Sequence, residues 1–238
     1  MRKLGVYSIL LALVWLGGGP ATARDDPGKD PGAASSPERP ILLKNVHVFD
    51  VSSGEMSGAQ DILIADGRIA SIGDDLGPEP NAETIECEGT YAVPGLFDCH
   101  VHLAHLTNKG GDTLRTALAG FVTRGITHLR DVGGPIDVLH RLEERTASGE
   151  ILGPEIFYAG PMLEHSPLTW DRFNEDLPGF TMAVDSTADV DSILQALSRQ
   201  GACMIKTFFH QDPAVYRHMV ETAQRLSLRI VHDPGGPL

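Results

Sequence analysis

Beyond residue 103 the chain alternates short apolar runs with helix-period segments, and this alternation restricts the fold more than any other feature. Leu114, Leu118, Phe121 and Val122 fall at i, i+4, i+7 and i+8, one face of a helix that Gly125 ends. Residues 126–131 then read as a strand, and Ile136, Leu139 and Leu142 mark a helix closing near Gly149. Residues 155–159 read as a strand and 160–185 as a long irregular loop. Val190, Ile193, Leu194 and Leu197 mark a helix closed by Gly201, followed by a strand over 202–208. Val215, Met219, Val220, Ala223 and Leu226 mark another helix, and 228–232 the next strand. Repeated β-α units imply a parallel sheet with right-handed crossovers.

The polar residues of these units select among parallel folds. No Gly-x-Gly-x-x-Gly follows a strand and no phosphate-cradling Walker loop is present. Instead His100 and His102 end a first strand within residues 93–103, expected to be buried. Asp131 ends the second, Lys206 lies on the fourth and His232 ends the fifth. Polar groups at the carboxyl ends of several strands mark the α/β class of (β/α)8 TIM-type barrels.

Residues 41–88 read as β structure. Apolar runs at 61–65 and 68–72 flank Asp66-Gly67, a two-residue hairpin signal because both turn positions need positive φ. Ahead of them, residues 24–40 are rich in Asp, Pro, Gly, Ala and Ser and read as a disordered linker. Arg2 and Lys3, the apolar run 4–16, a Gly-Gly-Gly-Pro break and Ala21-Thr-Ala23 follow the layout of a secretory signal peptide. The run is shorter than the about 20 residues a membrane span needs. The expected order is therefore signal peptide 1–23, linker 24–40, β-sandwich segment 41–92 and barrel segment 93–238, in an exported protein (periplasmic or extracellular) with no membrane span after processing.

The formal charge is −13, and −15 without Arg2 and Lys3, with no basic run, so nucleic-acid binding is not expected. Cys87, Cys99 and Cys203 are widely spaced and odd in number, which gives no disulfide framework and no Cys-x-x-Cys knuckle.

His100 and His102 stand two residues apart, so in a strand they share a face and can bind one metal ion. Among ten histidines such a pair also arises by chance, and its surroundings carry the argument. Pro94-Gly-Leu-Phe-Asp-Cys-His-Val-His102 resembles the first-strand signature of the amidohydrolase superfamily, metal-dependent hydrolases on a (β/α)8 barrel. The segments around 125–133 and 153–160 resemble the second and third strands of its imidazolonepropionase-like and prolidase-like branch. The hairpin at Asp66-Gly67 resembles the small β-sandwich before the barrel. Ile205-Lys-Thr207 and Val231-His-Asp-Pro-Gly235 resemble the strands that carry a lysine and a histidine ligand. The resemblance implies one or two divalent ions, zinc in the first instance, held by His100, His102, Lys206 and His232. Lys206 would bridge them as a carbamate formed with carbon dioxide. It implies hydrolysis of an amide, cyclic amide or dipeptide C–N bond in a small-molecule substrate, and leaves homo-oligomerisation open.

From the residues alone, Lys206 in an apolar strand is costly as a bare ammonium and could be a paired structural lysine; the ligand role is what the resemblance implies. Asp98 and Asp131 either orient the ligands by hydrogen bonds or cap strand ends. His165 and Trp170, in the long loop, either line a substrate pocket or are simply exposed. His105, His128, His140, His210 and His218 have no assignable partner and read as structural or exposed. A full barrel takes about 250 residues, whereas 93–238 supplies 146 and five strands. The chain is therefore expected to be the front portion of a longer enzyme, truncated and unstable or inactive alone. Two other readings stand beside this one: a phosphotriester or lactone hydrolase with the same cage, and a non-catalytic fragment or pseudoenzyme acting as a binding module.

Overall fold

Two neighbouring positive-φ residues, Asp66 at 50° and Gly67 at 68°, turn the chain between β3 (Glu55–Ala65) and β4 (Arg68–Gly73). Both strands are antiparallel about that turn, as the sequence signal requires. The computed structural model describes residues 12–14, 39–208 and 211–234. Most of the expected signal peptide, the expected linker through residue 38 and positions 235–238 lie outside the described residues. The chain divides into two compact units, Met1–Gly95 and Leu96–Leu238.

In the first unit β1 (Ala12–Val14), β2 (Ile41–Asp50), β5 (Glu83–Glu86) and β6 (Tyr91–Val93) join the hairpin. They form one sheet in the order β1-β6-β2-β3-β4, with β5 also on β2. The expected sandwich is thus a single sheet among the described residues, because β2 takes β5 and β6 on the edge that β3 leaves open. Leu43, Val46, Ile62, Cys87 and Ala92 form its core. Asp61 is buried beside them and is fully partnered: it accepts from the N–H groups of Asn45 (3.1 Å) and Leu76 (3.0 Å) and pairs with Lys44 at 3.1 Å.

The second unit runs β7 (Leu96–Val101), α1 (Ala104–Thr107), α2 (Gly111–Val122), β8 (Ile126–Asp131), α3 (Ile136–Ala147), β9 (Glu155–Tyr158) and β10 (Met162–Glu164). It continues with α4 (Phe173–Asp176), β11 (Thr181–Ala183), α5 (Thr187–Arg199), β12 (Met204–Phe208), α6 (Pro213–Arg225) and β13 (Arg229–Asp233). Every strand pair in it is parallel, in two sheets ordered β7-β8-β9 and β11-β10-β12-β13. A bond from Cys203 N–H to the Tyr158 carbonyl (3.3 Å) links β9 to the start of β12 across the break. β7, β8 and β9 follow chain order, whereas β11 lies on the outer side of β10; the parallel strands are consistent with part of a TIM-type barrel, and no closed barrel forms among the described residues.

Helix stripes seal the outer face. Leu118, Leu129, Leu139, Leu163, Leu194, Ile205 and Met219 are all fully buried in one core. Helix α5 begins with a capping box of Ser186 and Asp189, and α6 with Asp212 ahead of Pro213. Two expectations are corrected here. The stretch 160–185 is not irregular: it contains β10, α4 and β11, whose three-residue strands are too short to show periodicity. The strand carrying His100 is not buried, since Leu96 and Phe97 are 56% and 57% exposed. Among the described strands β7 pairs only with β8, which leaves one edge and much of one face open.

Candidate metal centre and substrate face

His100 and His102 lie at the carboxyl end of β7, past a register shift between Asp98 and Val101. Asp98 accepts the N–H of His100 at 3.1 Å and so shapes this bend. The two imidazoles sit edge to face with centroids 5.3 Å apart. His102 Nδ1 is 2.9 Å from the carbonyl oxygen of Gly133. A carbonyl can only accept, so Nδ1 carries the hydrogen and Nε2 of the neutral ring keeps its lone pair. Burial pushes the His102 pKa down against the pull of the Gly133 bond, and His100, His105 and Lys206 add to the lowering. A neutral imidazole oriented through Nδ1 is the form a metal ion binds.

Asp131 fixes this arrangement from below. It is fully buried, and its carboxylate accepts the N–H of Leu103 at 2.6 Å and of Gly133 at 3.0 Å. One side chain therefore ties down the residue after His102 and the residue that holds the His102 ring. Burial pushes its pKa up to about 7 against those two donors. Gly133 is a close-approach position: a Cβ there would lie 2.9 Å from Met162 Cγ and 3.0 Å from His102 Cε1.

Lys206 is 1% exposed on β12. Its Nζ is 3.4 Å from Asp233 Oδ2 and 5.6 Å from the Phe208 ring centre. Burial lowers its pKa, opposed by Asp233 and assisted by Arg130. Its charge helps to lower the His102 pKa. His232 does not join them. In β12–β13, Lys206 registers with Val231 and Thr207 with His232. Registered residues share a face and successive residues alternate, so His232 lies on the face opposite Lys206. There its Nδ1 is 2.9 Å from Thr207 Oγ1 and its ring is 5.8 Å from that of Tyr216 on α6. Of the four expected ligands, His232 is the one that the strand register turns away from Lys206. Among the described residues no group of three His, Cys, Asp or Glu side chains is placed to hold an ion.

The loop after β10 covers this end of the sheet with aromatic rings. Trp170 lies 5.5 Å from Phe173 and 6.0 Å from Phe208. Phe173 lies 5.1 Å from Phe180, which reaches His102 at 5.8 Å and His105 at 4.8 Å. Trp170 is thus joined ring by ring to His102. His165 instead anchors the loop, with Nδ1 3.0 Å from Asp185 Oδ1. Phe173, Phe180, His105 and Gly133 gave no sequence signal for this role, because their closeness comes from loop folding. Glu164 did leave one: a single charge ending the apolar run 161–163.

No family model matches the chain. A deacetylase of Agrobacterium fabrum is 37% identical over 98 residues, 40% of this chain and 23% of the deacetylase. A dihydroorotase of Desulforapulum autotrophicum is 33% identical over 89 residues, 37% of this chain and 20% of that enzyme. Among solved structures, a prolidase complexed with N-methylphosphonate-L-proline superposes with a TM-score of 0.69 at 20% identity, over 81% of this chain and 55% of that one. The chain thus spans about a fifth of the length of these curated relatives and about half of the solved structure.

Proposed function

We propose that the chain is part of an amidohydrolase-superfamily enzyme and that it carries the front of the active site of a hydrolase for C–N bonds in small molecules: amides, cyclic amides or dipeptides. The observation that carries this is the His102 tautomer: Nδ1–H given to Gly133 and Nε2 left bare beside His100. That donor set fits a divalent ion, zinc in the first instance, held by His100, His102 and Lys206. A bound ion would lower the pKa of a water toward roughly 7 and polarise the scissile carbonyl.

The chain's own groups do the rest. Asp131 and Gly133 hold the His102 ring in one orientation, while Asp98 sets the His100 backbone. The buried amine of Lys206, with its lowered pKa, is suited to take up carbon dioxide as a carbamate, releasing one proton. The aromatic layer from Trp170 to Phe180 packs the substrate's apolar part and keeps water away. His232 enters the ligand set only if β13 turns over by one residue. The leader-like run at the start supports export, which amino-terminal sequencing of the secreted protein tests.

Metal analysis of the purified protein tests the core of the reading. At least one ion per chain is expected, falling severalfold in His100→Ala and His102→Ala. An ion content near zero in the parent protein would overturn it. Hydrolysis assays on acyl amino acids, dihydropyrimidines and dipeptides then separate the substrate classes, with ester and phosphotriester substrates as the contrast.

A further inference from the structure

Glu164 ends β10 at the carboxyl side of the parallel sheet, the side where ligands bind in such folds. Met162 registers with Lys206, and Glu164 follows Met162 by two residues, so it occupies the Lys206 face. It is 1% exposed. Its Oε2 accepts the N–H of Thr169 at 2.7 Å, next to Trp170 in the aromatic loop. Its Oε1 is buried and has no hydrogen-bond partner among the described residues.

Gln211, just past β12, repeats the pattern. Its amide nitrogen donates to the carbonyls of Leu163 (2.9 Å) and Phe208 (3.2 Å). Flipping the amide would set oxygen against two carbonyls, so the assignment is fixed. Its Oε1 is then left buried without a donor among the described residues. The third such atom among the described residues, His165 Nδ1, still faces Asp185 at 3.0 Å. Two buried acceptors, Glu164 at the end of β10 and Gln211, whose amide bonds the Leu163 carbonyl, therefore have no donor among the described residues. The nearby cations are engaged elsewhere: Lys206 with Asp233, and the Arg172 guanidinium against Trp170 at 4.9 Å and Phe173 at 5.2 Å.

A buried carboxylate with a single hydrogen bond is destabilising unless something completes it. We propose that Glu164, seconded by Gln211, is a specificity site that receives a cationic group of the substrate, a protonated amine or guanidinium. This rests on the small-molecule hydrolase reading and narrows its substrate class. The aromatic rings beside it would hold the apolar stem of such a substrate, and aromatic faces also favour cations.

Calorimetric titration with three probes tests it: Nα-acetyl-L-lysinamide with a side-chain cation, L-norleucinamide with an α-ammonium, and neutral Nα-acetyl-L-norleucinamide. One of the two cationic probes is expected to bind tenfold or more tighter than the neutral one, the scale of one buried charge-assisted bond. Glu164→Gln keeps an acceptor for Thr169 and removes the charge, and should reduce that preference to about twofold or less. Equal binding of all three probes by the parent protein overturns the proposal without any variant. So does a preference that survives in Glu164→Gln. Chromatography of the same mixtures reads hydrolysis separately. Cation preference without cleavage of any C–N substrate would sink the hydrolase reading and keep the site, while cleavage without preference would do the reverse.

Discussion

Gly133→Ala is the sharpest probe of the site, because one added carbon meets the ring the centre depends on. The new Cβ would sit 2.9 Å from Met162 Cγ and 3.0 Å from His102 Cε1 and Nδ1. At those separations a neighbour must move. Met162 is packed in the core at 4% exposure, so the His102 ring is the group with room to yield. Its 2.9 Å bond to the Gly133 carbonyl is then lengthened or lost. Overpacking together with one lost hydrogen bond gives a destabilisation of about 2–3 kcal/mol, or a Tm lower by roughly 5–10 °C. On the proposed metal-binding role of His102, disturbing the group that orients its ring should also weaken metal affinity by roughly 10- to 100-fold. Thermal unfolding of the metal-free protein and a competitive chelator titration measure the two effects independently. Gly111→Ala, where nothing lies within 4 Å of the new carbon, is the control and should cost no stability. A Gly133→Ala protein with parental Tm and parental metal affinity would refute the close packing of Gly133 on His102.

Other outcomes follow from the same contacts. Asp131 has its folded-state pKa raised to about 7 from 3.8, so its contribution to stability is full below about pH 4, declines as pH rises to about 7, and is constant above. Asp131→Asn should remove that decline from the pH profile of Tm; an unchanged profile would show that another group causes it. Asp61→Ala leaves the Asn45 and Leu76 N–H groups without their acceptor and should cost about 2–3 kcal/mol in urea unfolding; a loss under about 0.5 kcal/mol would mean that water replaces the carboxylate. His232→Asn should leave the metal content intact, since the ring faces α6, and a halved content would mean that β13 presents its other face in solution. On the proposed hydrolase reading, Lys206→Met should abolish activity, and added short-chain carboxylic acids should restore part of it if a carbamate is at work; activity retained by Lys206→Met would remove Lys206 from the centre.

Much of this was legible in the residues. Helix stripes such as Val190, Ile193, Leu194 and Leu197 announced α5 because a packed helix must place apolar groups on one side. Asp66-Gly67 announced its hairpin because few residue pairs tolerate two positive φ angles in a row. His100 and His102 stood out because a two-residue spacing forces two imidazoles together at a strand end. These are local constraints, satisfied within a few residues of chain. The short strands β10 and β11 were not legible, since three residues carry no period and their pairing is set by partners twenty or forty positions away.

The chain's order alone determined that parallel β-α units would carry two histidines, a lysine and an aspartate to strand ends. Only the tertiary structure decided what those groups meet. It gave Asp131 two backbone donors from separate turns, aimed His102 by way of Gly133, and left Glu164 Oε1 buried with no donor among the described residues. It also turned His232 away from Lys206, because register between strands, and not position along one strand, fixes which face a side chain shares. Contacts of that kind join residues far apart in sequence, and they exist only once the sheet has assembled.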